Sequence, residues 1–157
     1  MAGEVEESIV LGHSNKHHAG FLGHSYLGEW VNLGAMTTNS DLKNNYRPVR
    51  LHLSTGDLDT GQLKLGMMLG DHVKTGIGTL VSGGTTIGFA SNVFGGEGLV
   101  SGCVPPFTWR SGTRDEVYRL DAALETARTV MSRRGLTLTD ADSALFRTIL
   151  AATHSHP

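Results

Sequence analysis

The chain of 157 residues is poor in the features that assign many proteins to a broad class. Its single cysteine, Cys103, excludes an internal disulfide and fits a reducing compartment. Its 13 basic and 15 acidic residues give a formal charge of -2, which does not favour binding to nucleic acid or an anionic membrane. No apolar run resembles a signal peptide or is long enough to span a bilayer. We therefore expect a cytoplasmic protein that binds neither nucleic acid nor a membrane.

Proline is also scarce, with four residues, whereas glycine is abundant, with 21. Glycine without proline, in a sequence that is not of low complexity, indicates many tight corners in an ordered chain. The corners recur at a fixed interval of six residues. Cut from Phe21, the sequence reads FLGHSY, LGEWVN, LGAMTT, and cut from Leu69 it reads LGDHVK, TGIGTL, VSGGTT, IGFASN.

The hexads agree in three of their positions. The first position is mostly aliphatic, the second is most often glycine, and the fifth is always small or β-branched. We interpret each hexad as one short strand and one corner, so that three hexads close a triangular coil with the first and fifth positions pointing inward. The array predicts a mainly β fold, a left-handed parallel β-helix.

Residues 38–62 interrupt the hexads. They contain a short alternating run at 49–53 and a turn-forming sequence at 55–57. Long loops inside a compact fold are usually functional, so we expect this looped-out insertion to contribute to a site; a tolerated excursion from a corner is the alternative.

The hexad pattern ends after about residue 100. Thr113 and Glu116 form a capping box that predicts the start of a helix, Gly135 supplies its stop, and a second helix is predicted from Thr139. We divide the chain into a β-helix domain at 1–110 and a helical extension at 111–157. Because a short β-helix exposes flat sides, we predict a homotrimer with the helices packed on it.

Two stretches resemble a known family. They are SNKHHAGFLGHSYLGEWVNLGAMTTNSDLKNNY at 14–46 and GDHVKTGIGTLVSGGTTIG at 70–88. Both are similar to the C-terminal acetyltransferase domain of a family of bifunctional bacterial enzymes. These enzymes join glucosamine-1-phosphate acetyltransferase to N-acetylglucosamine-1-phosphate uridylyltransferase. Both stretches are also similar to related sugar nucleotidyltransferases. The resemblance covers about 5–110. It implies coenzyme A-dependent N-acetylation of an amino-sugar phosphate that serves as a cell-envelope precursor, with acetyl-CoA as co-substrate and a nucleotidyltransferase domain outside this chain.

The resemblance also implies roles for individual residues. It places the catalytic base at His18. The residues expected to contact the sugar phosphate are Phe21, Asn32, Asn39, Asp41 and Lys43. Those expected beside acetyl-CoA are Ala35, Lys74, Gly76, Gly78 and Gly95. Asp41 departs from the family's asparagine and adds a negative charge where an anionic sugar phosphate should bind.

The chemistry of acetyl transfer fits a histidine. An ammonium has no lone pair to attack a thioester, so a base must first remove its proton, and a neutral imidazole titrates in the required range. His18 is the fourth residue of its hexad and is expected to point outward, into a cleft between two protomers. Backbone N–H groups of the glycine-rich coils would then bind the oxyanion. A merely exposed histidine is the alternative.

Four of the eight histidines lie between residues 12 and 24, which raises the question of a metal site. His18 and His24 are one hexad apart, up to roughly 20 Å of extended chain, so they are expected at different corners, too far apart to share one zinc. We therefore expect no metal and place His13, His17 and His24 at solvated corners, with their roles open.

Two other functions stay open on the sequence. One is a non-catalytic trimerisation or ligand-binding domain of a sugar nucleotidyltransferase. The other is a zinc-dependent hydratase of the same fold, in which histidines from different protomers would meet.

Overall fold

In the computed structural model, which describes residues 1–94 and 98–154, the chain winds into a solenoid of short, mostly parallel strands with three faces. The first face consists of β2 (Ile9–Val10), β5 (Tyr26–Leu27), β10 (Met68–Leu69), β13 (Thr86–Ile87) and β16 (Cys103–Val104). The second consists of β3 (Asn15–Lys16), β6 (Asn32–Leu33), β11 (Lys74–Thr75), β14 (Asn92–Phe94) and β17 (Thr108–Ser111). The third consists of β1 (Glu4–Glu6), β4 (Phe21–Gly23), β7 (Thr38–Asn39), β12 (Leu80–Val81) and β15 (Leu99–Val100). The predicted fold class is confirmed.

The hexad positions predict the core with one exception. All seven fifth-position residues are buried, and so are the first-position residues Leu27, Leu33, Leu69, Val81 and Ile87. At the hexad that begins with Phe21 the predicted frame is wrong, because the inward residue is Leu22. The cause is one short step: the inward residues Leu22 and Leu27 are five residues apart rather than six. The coil that contains this step pairs Ile9 with Tyr26 at an offset of 17 residues, one fewer than three hexads.

The second-position glycines serve a different purpose from the one predicted. None of them has a positive φ; the left-handed corner residues lie two positions later, at Trp30, Met36, His72 and Ala90. The glycines are needed because successive coils touch there: a Cβ on Gly34 would lie 2.6 Å from the Gly76 backbone. Close stacking of coils, rather than the turn itself, therefore selects glycine at this position.

The insertion forms a β-hairpin, with β8 (Arg50–Leu53) antiparallel to β9 (Gly56–Asp59). The chain leaves the solenoid after β7 and returns at β10. The hairpin docks on the solenoid through the His52 N–H, which donates to the Gly84 carbonyl over 2.9 Å.

The predicted start of the first helix is wrong. Residues 114–117 form β18 (Arg114–Val117), which pairs antiparallel with β17, so Thr113 and Glu116 belong to a hairpin rather than a capping box. The first helix, α1 (Leu120–Ser132), begins after Arg119 and ends at the predicted stop, with Gly135 at φ +72°.

The second helix, α2 (Asp140–His154), begins as predicted. The Asp142 N–H donates to Thr139 Oγ1, and the Thr139 N–H donates to the Asp142 carboxylate. Both helices cover a corner of their own chain, in a cluster that contains Phe89, Ala90, Phe107, Ala123, Ala127 and Phe146. In the described part of the chain, neither helix is long and apolar enough to cross a membrane.

Candidate functional site

His18 lies in the bend between β3 and β4, where the second face meets the third. Continuing the pairing of β3, β6 and β11 places Ala35 and Ile77 above it in successive coils. Two corner hydrogen bonds tie these coils together, from the Met36 N–H to the Ala19 carbonyl and from the Gly78 N–H to the Ala35 carbonyl. We call His18, Ala35 and Ile77 the His18 corner.

The backbone of His18 is fixed while its ring is free. Lys16 turns inward, is 2% exposed, and its Nζ donates to the carbonyls of His18 and Ala2, each over 3.0 Å. Burial lowers the pKa of Lys16. The His18 ring is exposed and touches His17 edge-on at 5.3 Å, and within residues 1–94 and 98–154 it forms no hydrogen bond. An exposed imidazole on an anchored backbone is available to a ligand.

Three of the five residues expected beside acetyl-CoA fall on or next to the His18 corner. Ala35 belongs to it, and Gly76 and Gly78 flank Ile77 in the same coil. Gly78 has φ +70° and open space where a Cβ would lie, so its backbone is accessible. Gly95 lies outside the described residues.

Asn32 and Lys74 stand side by side on the second face. The outward residues of its strands form a row, which we call the outer row of the second face, consisting of Asn15, Asn32, Lys74, Asn92 and Trp109. Asn15 Nδ2 donates to Asn32 Oδ1 over 2.9 Å, and Lys74 Nζ donates to the His72 carbonyl over 2.9 Å. Burial lowers the pKa of Lys74 to about 8.

Phe21 and Asp41 meet on the third face, above Gly23. A Cβ on Gly23 would overlap the Phe21 ring and lie 2.8 Å from Asp41 Oδ2. Asp41 also accepts a hydrogen bond from His24 Nδ1 over 2.8 Å, and His24 Nε2 lies 3.3 Å from Glu7 Oε2. Sequence reasoning missed this His24–Asp41 pair. The signal was the spacing of 17 residues, the offset that stacks Phe21 on Glu4.

Asn39, expected to contact the sugar, lies inside the coil and is 2% exposed. Its Nδ2 donates to the Gly23 carbonyl and its Oδ1 accepts from the Gly23 N–H, each over 3.0 Å. The amide is thus engaged in holding β7 to β4, and we do not carry Asn39 forward as a ligand contact.

Lys43 is exposed at the start of the insertion, where the insertion overhangs the third face. A cleft of about 330 Å³ lies between them. It is lined by Ser40, Leu42, Lys43, Asn44, Asn45, Val49, Ser82, Gly83 and Leu99. The third face is therefore bounded on one edge by the His18 corner and on the other by the insertion.

One group of side chains has the composition of a metal site. Ligand-type atoms of Glu6, His24 and Asp41 lie within 4.8 Å of one another. His18 is not a member of this group, in keeping with the expected separation of His18 from His24. His24 donates a hydrogen bond to Asp41 over 2.8 Å, and Lys64 Nζ lies 3.9 Å from Glu6 Oε2.

Comparison with known proteins identifies similar enzymes, although no family model matches the chain. It is 32% identical to a bifunctional sugar-1-phosphate nucleotidylyltransferase/acetyltransferase of Sulfurisphaera tokodaii over 93 aligned residues. The aligned region covers 59% of this chain and 23% of that protein. Over 85 residues the chain is 32% identical to the bifunctional protein GlmU of Methanocaldococcus jannaschii, covering 54% and 21%. Over 97 residues it is 30% identical to that of Methanococcus vannielii, covering 62% and 23%.

These relatives confirm the resemblance that residues 14–46 and 70–88 indicated. The chain spans less than a quarter of the length of each of these three proteins. Their printed names describe whole bifunctional enzymes, and the solenoid fold fits the acetyltransferase domain of such enzymes.

Proposed function

We propose that the chain acts as a coenzyme A-dependent N-acetyltransferase on an amino-sugar phosphate, with His18 as the general base. The observation that carries the proposal is the exposed imidazole of His18 on an anchored backbone, at the edge of a face that also carries Phe21 and Asp41. In the part of the chain that the structure describes, this ring forms no hydrogen bond. Similarity to enzymes named acetyltransferases supports the same reaction class.

In the proposed reaction His18 removes a proton from the acceptor amine, whose nitrogen then attacks the thioester carbonyl. The carbon–sulfur bond breaks and the acetyl group passes to nitrogen, which loses its second proton to water. Protonated His18 gives its proton to the sulfur, so that coenzyme A leaves as the thiol and His18 is neutral again. Backbone groups near Ala35, Gly76 and Gly78 would lie beside the thioester, and an exposed N–H there would stabilise the oxyanion. His18 itself would supply about 10²–10⁴-fold in rate.

The acceptor would lie on the third face. Phe21 would pack against the sugar ring and Lys43 would bind its phosphate from the insertion edge, while Asn32 would contact its hydroxyls from the adjoining second face. The carboxylate of Asp41 repels an anionic substrate less strongly than an isolated carboxylate would, because His24 donates a hydrogen bond to it. The same carboxylate would accept a hydrogen bond from the acceptor amine.

The decisive variant is His18→Ala. We expect it to lower thiol release from acetyl-CoA with glucosamine-1-phosphate by at least about a hundredfold, the contribution of a positioned base. The neighbouring His17→Ala is the matched control, since His17 is equally exposed and is expected to leave the rate unchanged. An unaltered rate in His18→Ala would remove His18 from the mechanism.

A non-catalytic ligand-binding domain is the second candidate. It is favoured by Asp41, whose carboxylate lies beside Phe21, where an anionic sugar phosphate would have to bind. Calorimetry that detects coenzyme A binding, together with no turnover of any amino-sugar phosphate, would support this candidate over the enzyme.

A further inference from the structure

The outer row of the second face contains hydrogen-bond donors that lack acceptors. Asn92 is 7% exposed, and its Nδ2 has no partner among the described residues. Leaving such a donor unpaired is unfavourable, so it calls for an acceptor from outside the chain, such as a water, an ion or a ligand.

The next residue in the row adds a positive charge. Lys74 pairs with Asn92 in register, and within residues 1–94 and 98–154 no carboxylate forms an ion pair with it. Its Nζ donates to one carbonyl, that of His72, and an ammonium carries further N–H groups. Because only burial acts on it, the pKa of Lys74 falls to about 8. A buried ammonium without a carboxylate favours an incoming anion.

Asn32 completes the row on its solvent side. Its Oδ1 already accepts a hydrogen bond from Asn15, which leaves its Nδ2 as a donor. Asn32, Lys74 and Asn92 occupy consecutive rungs, which are about 4.8 Å apart in a sheet. Donors at this spacing suit an oxyanion with several oxygens rather than a single acceptor atom.

We propose that Asn32, Lys74 and Asn92 form an oxyanion site on the second face that binds a phosphate group of an anionic ligand. Lys74 provides the charge and the two amides provide directed N–H groups. Asn32 is the exposed member of the three, so the ligand would enter from its side, while Trp109 lies on the rung beyond Asn92. The site does not depend on acyl transfer, so its test is a binding measurement.

The first experiment titrates the intact protein with inorganic phosphate, using calorimetry or chemical shifts of the Lys74 and Asn92 side chains. Each charge-assisted hydrogen bond contributes about 1.5–3 kcal/mol, which is about tenfold or more in affinity. We therefore expect Lys74→Met and Asn92→Leu each to weaken phosphate binding at least tenfold. Arg128→Met removes one exposed positive charge from α1 and is expected to leave binding unchanged.

The second experiment identifies the source of the phosphate. Shifts at Lys74 with coenzyme A but not with pantetheine would assign the site to the acyl donor, and shifts with glucosamine-1-phosphate would assign it to the acceptor. The proposal is overturned if none of these ligands, nor phosphate, perturbs Lys74, or if Lys74→Met binds phosphate as the parent does. It is equally overturned if Lys74→Met dissociates an oligomer without altering phosphate affinity, because Lys74 would then pair with a second copy.

Discussion

At the scale of single residues, His72 is the titratable group most altered by the fold. It is 8% exposed at the corner between the first and second faces, with its ring near Trp30, Phe89 and Phe146. Its Nδ1 lacks a partner among the described residues. Burial lowers the pKa of His72 to about 4; the charge of Lys74 adds to the effect and Asp142 on α2 opposes it. The neutral ring thus supports helix docking.

This shift predicts how stability depends on pH. Between about pH 4 and 6.5 the unfolded chain binds a proton at His72 that the folded chain does not, so the free energy of unfolding rises with pH over this range. The full change is about 3 kcal/mol, complete above pH 6.5. Urea unfolding at several pH values measures it. His72→Phe keeps the ring and loses the titration; a pH slope no flatter in this variant than in the parent would contradict the assignment.

The sequence identifies the candidate residues but predicts the direction of only some of their side chains. Hexad position predicts that Asn32 points outward, and it does. The same reasoning fails for Phe21, because the inward residues Leu22 and Leu27 are only five residues apart. Asn39 stands six residues after Leu33, so the period predicts that it points inward, and only the resemblance placed it against the sugar. The His24–Asp41 pair depends on the same short step, together with the path of the insertion. Neither the direction of Phe21 nor the His24–Asp41 pair can be predicted from a regular period of six.

At the scale of elements, the insertion hairpin depends on one glycine. Gly84 has φ +76°, and a Cβ on it would overlap the Arg50 carbonyl of β8. Gly102 occupies the equivalent corner in the next coil, with φ +83° and open space around it. The two positions share a backbone conformation and differ in the hairpin above them.

The pair gives a controlled test of hairpin docking. Gly102→Ala is expected to cost about 1–2 kcal/mol for the left-handed conformation alone. Gly84→Ala should cost about 1–3 kcal/mol more, because the hairpin must also move away. Chemical denaturation measures both values. Equal losses of stability in the two variants would mean that the hairpin does not press on Gly84.

Helix boundaries illustrate where local signals suffice. The Thr139–Asp142 cap forms at the start of α2, where the two residues satisfy each other's backbone and side-chain groups. The box at Thr113 and Glu116 does not form, because β17 and β18 make a hairpin in which Ser111 pairs with Arg114 and Trp109 with Glu116. Two local patterns, a cap and a tight hairpin, thus compete for this segment, and the hairpin forms where β17 joins the sheet beside β14.

At the scale of the whole molecule, exposed apolar side chains flank the site. Ile77 of the His18 corner is 81% exposed, and Leu80 and Leu99 follow on the third face. A second copy that covered them would bury apolar area and lie over the acceptor face. This arrangement supports the proposed homotrimer with its site between protomers.

Sedimentation equilibrium tests the assembly. We expect a trimer that Ile77→Asp dissociates, since burying an unpaired carboxylate in an apolar contact is strongly unfavourable. Acetyl transfer should fall with the trimer if the neighbour completes the site. Leu145→Asp, on the exposed side of α2, is the matched control. A parent protein that sediments as a monomer at all concentrations would contradict the proposal.

The overall architecture follows from the sequence because a β-helix repeats a local rule. Inward positions, the insertion and two terminal helices are all visible as periodicity or its loss. The surface on which the helices pack cannot be predicted in this way. Phe89 and Phe107 lie in different coils, and both contact Phe146 of α2, which is far along the chain. Long-range aromatic contacts leave no periodic trace.

The insertion has a consequence for how such proteins diversify. Met68 pairs with Tyr26, so β10 resumes the stack on β5 as though the intervening segment were absent. The hairpin can therefore be lengthened, shortened or exchanged between relatives at little entropic cost, while the coils keep their register. Grafting a foreign hairpin between β7 and β10, with Gly84 retained, would replace one wall of the cleft between the insertion and the third face and leave the coils unchanged.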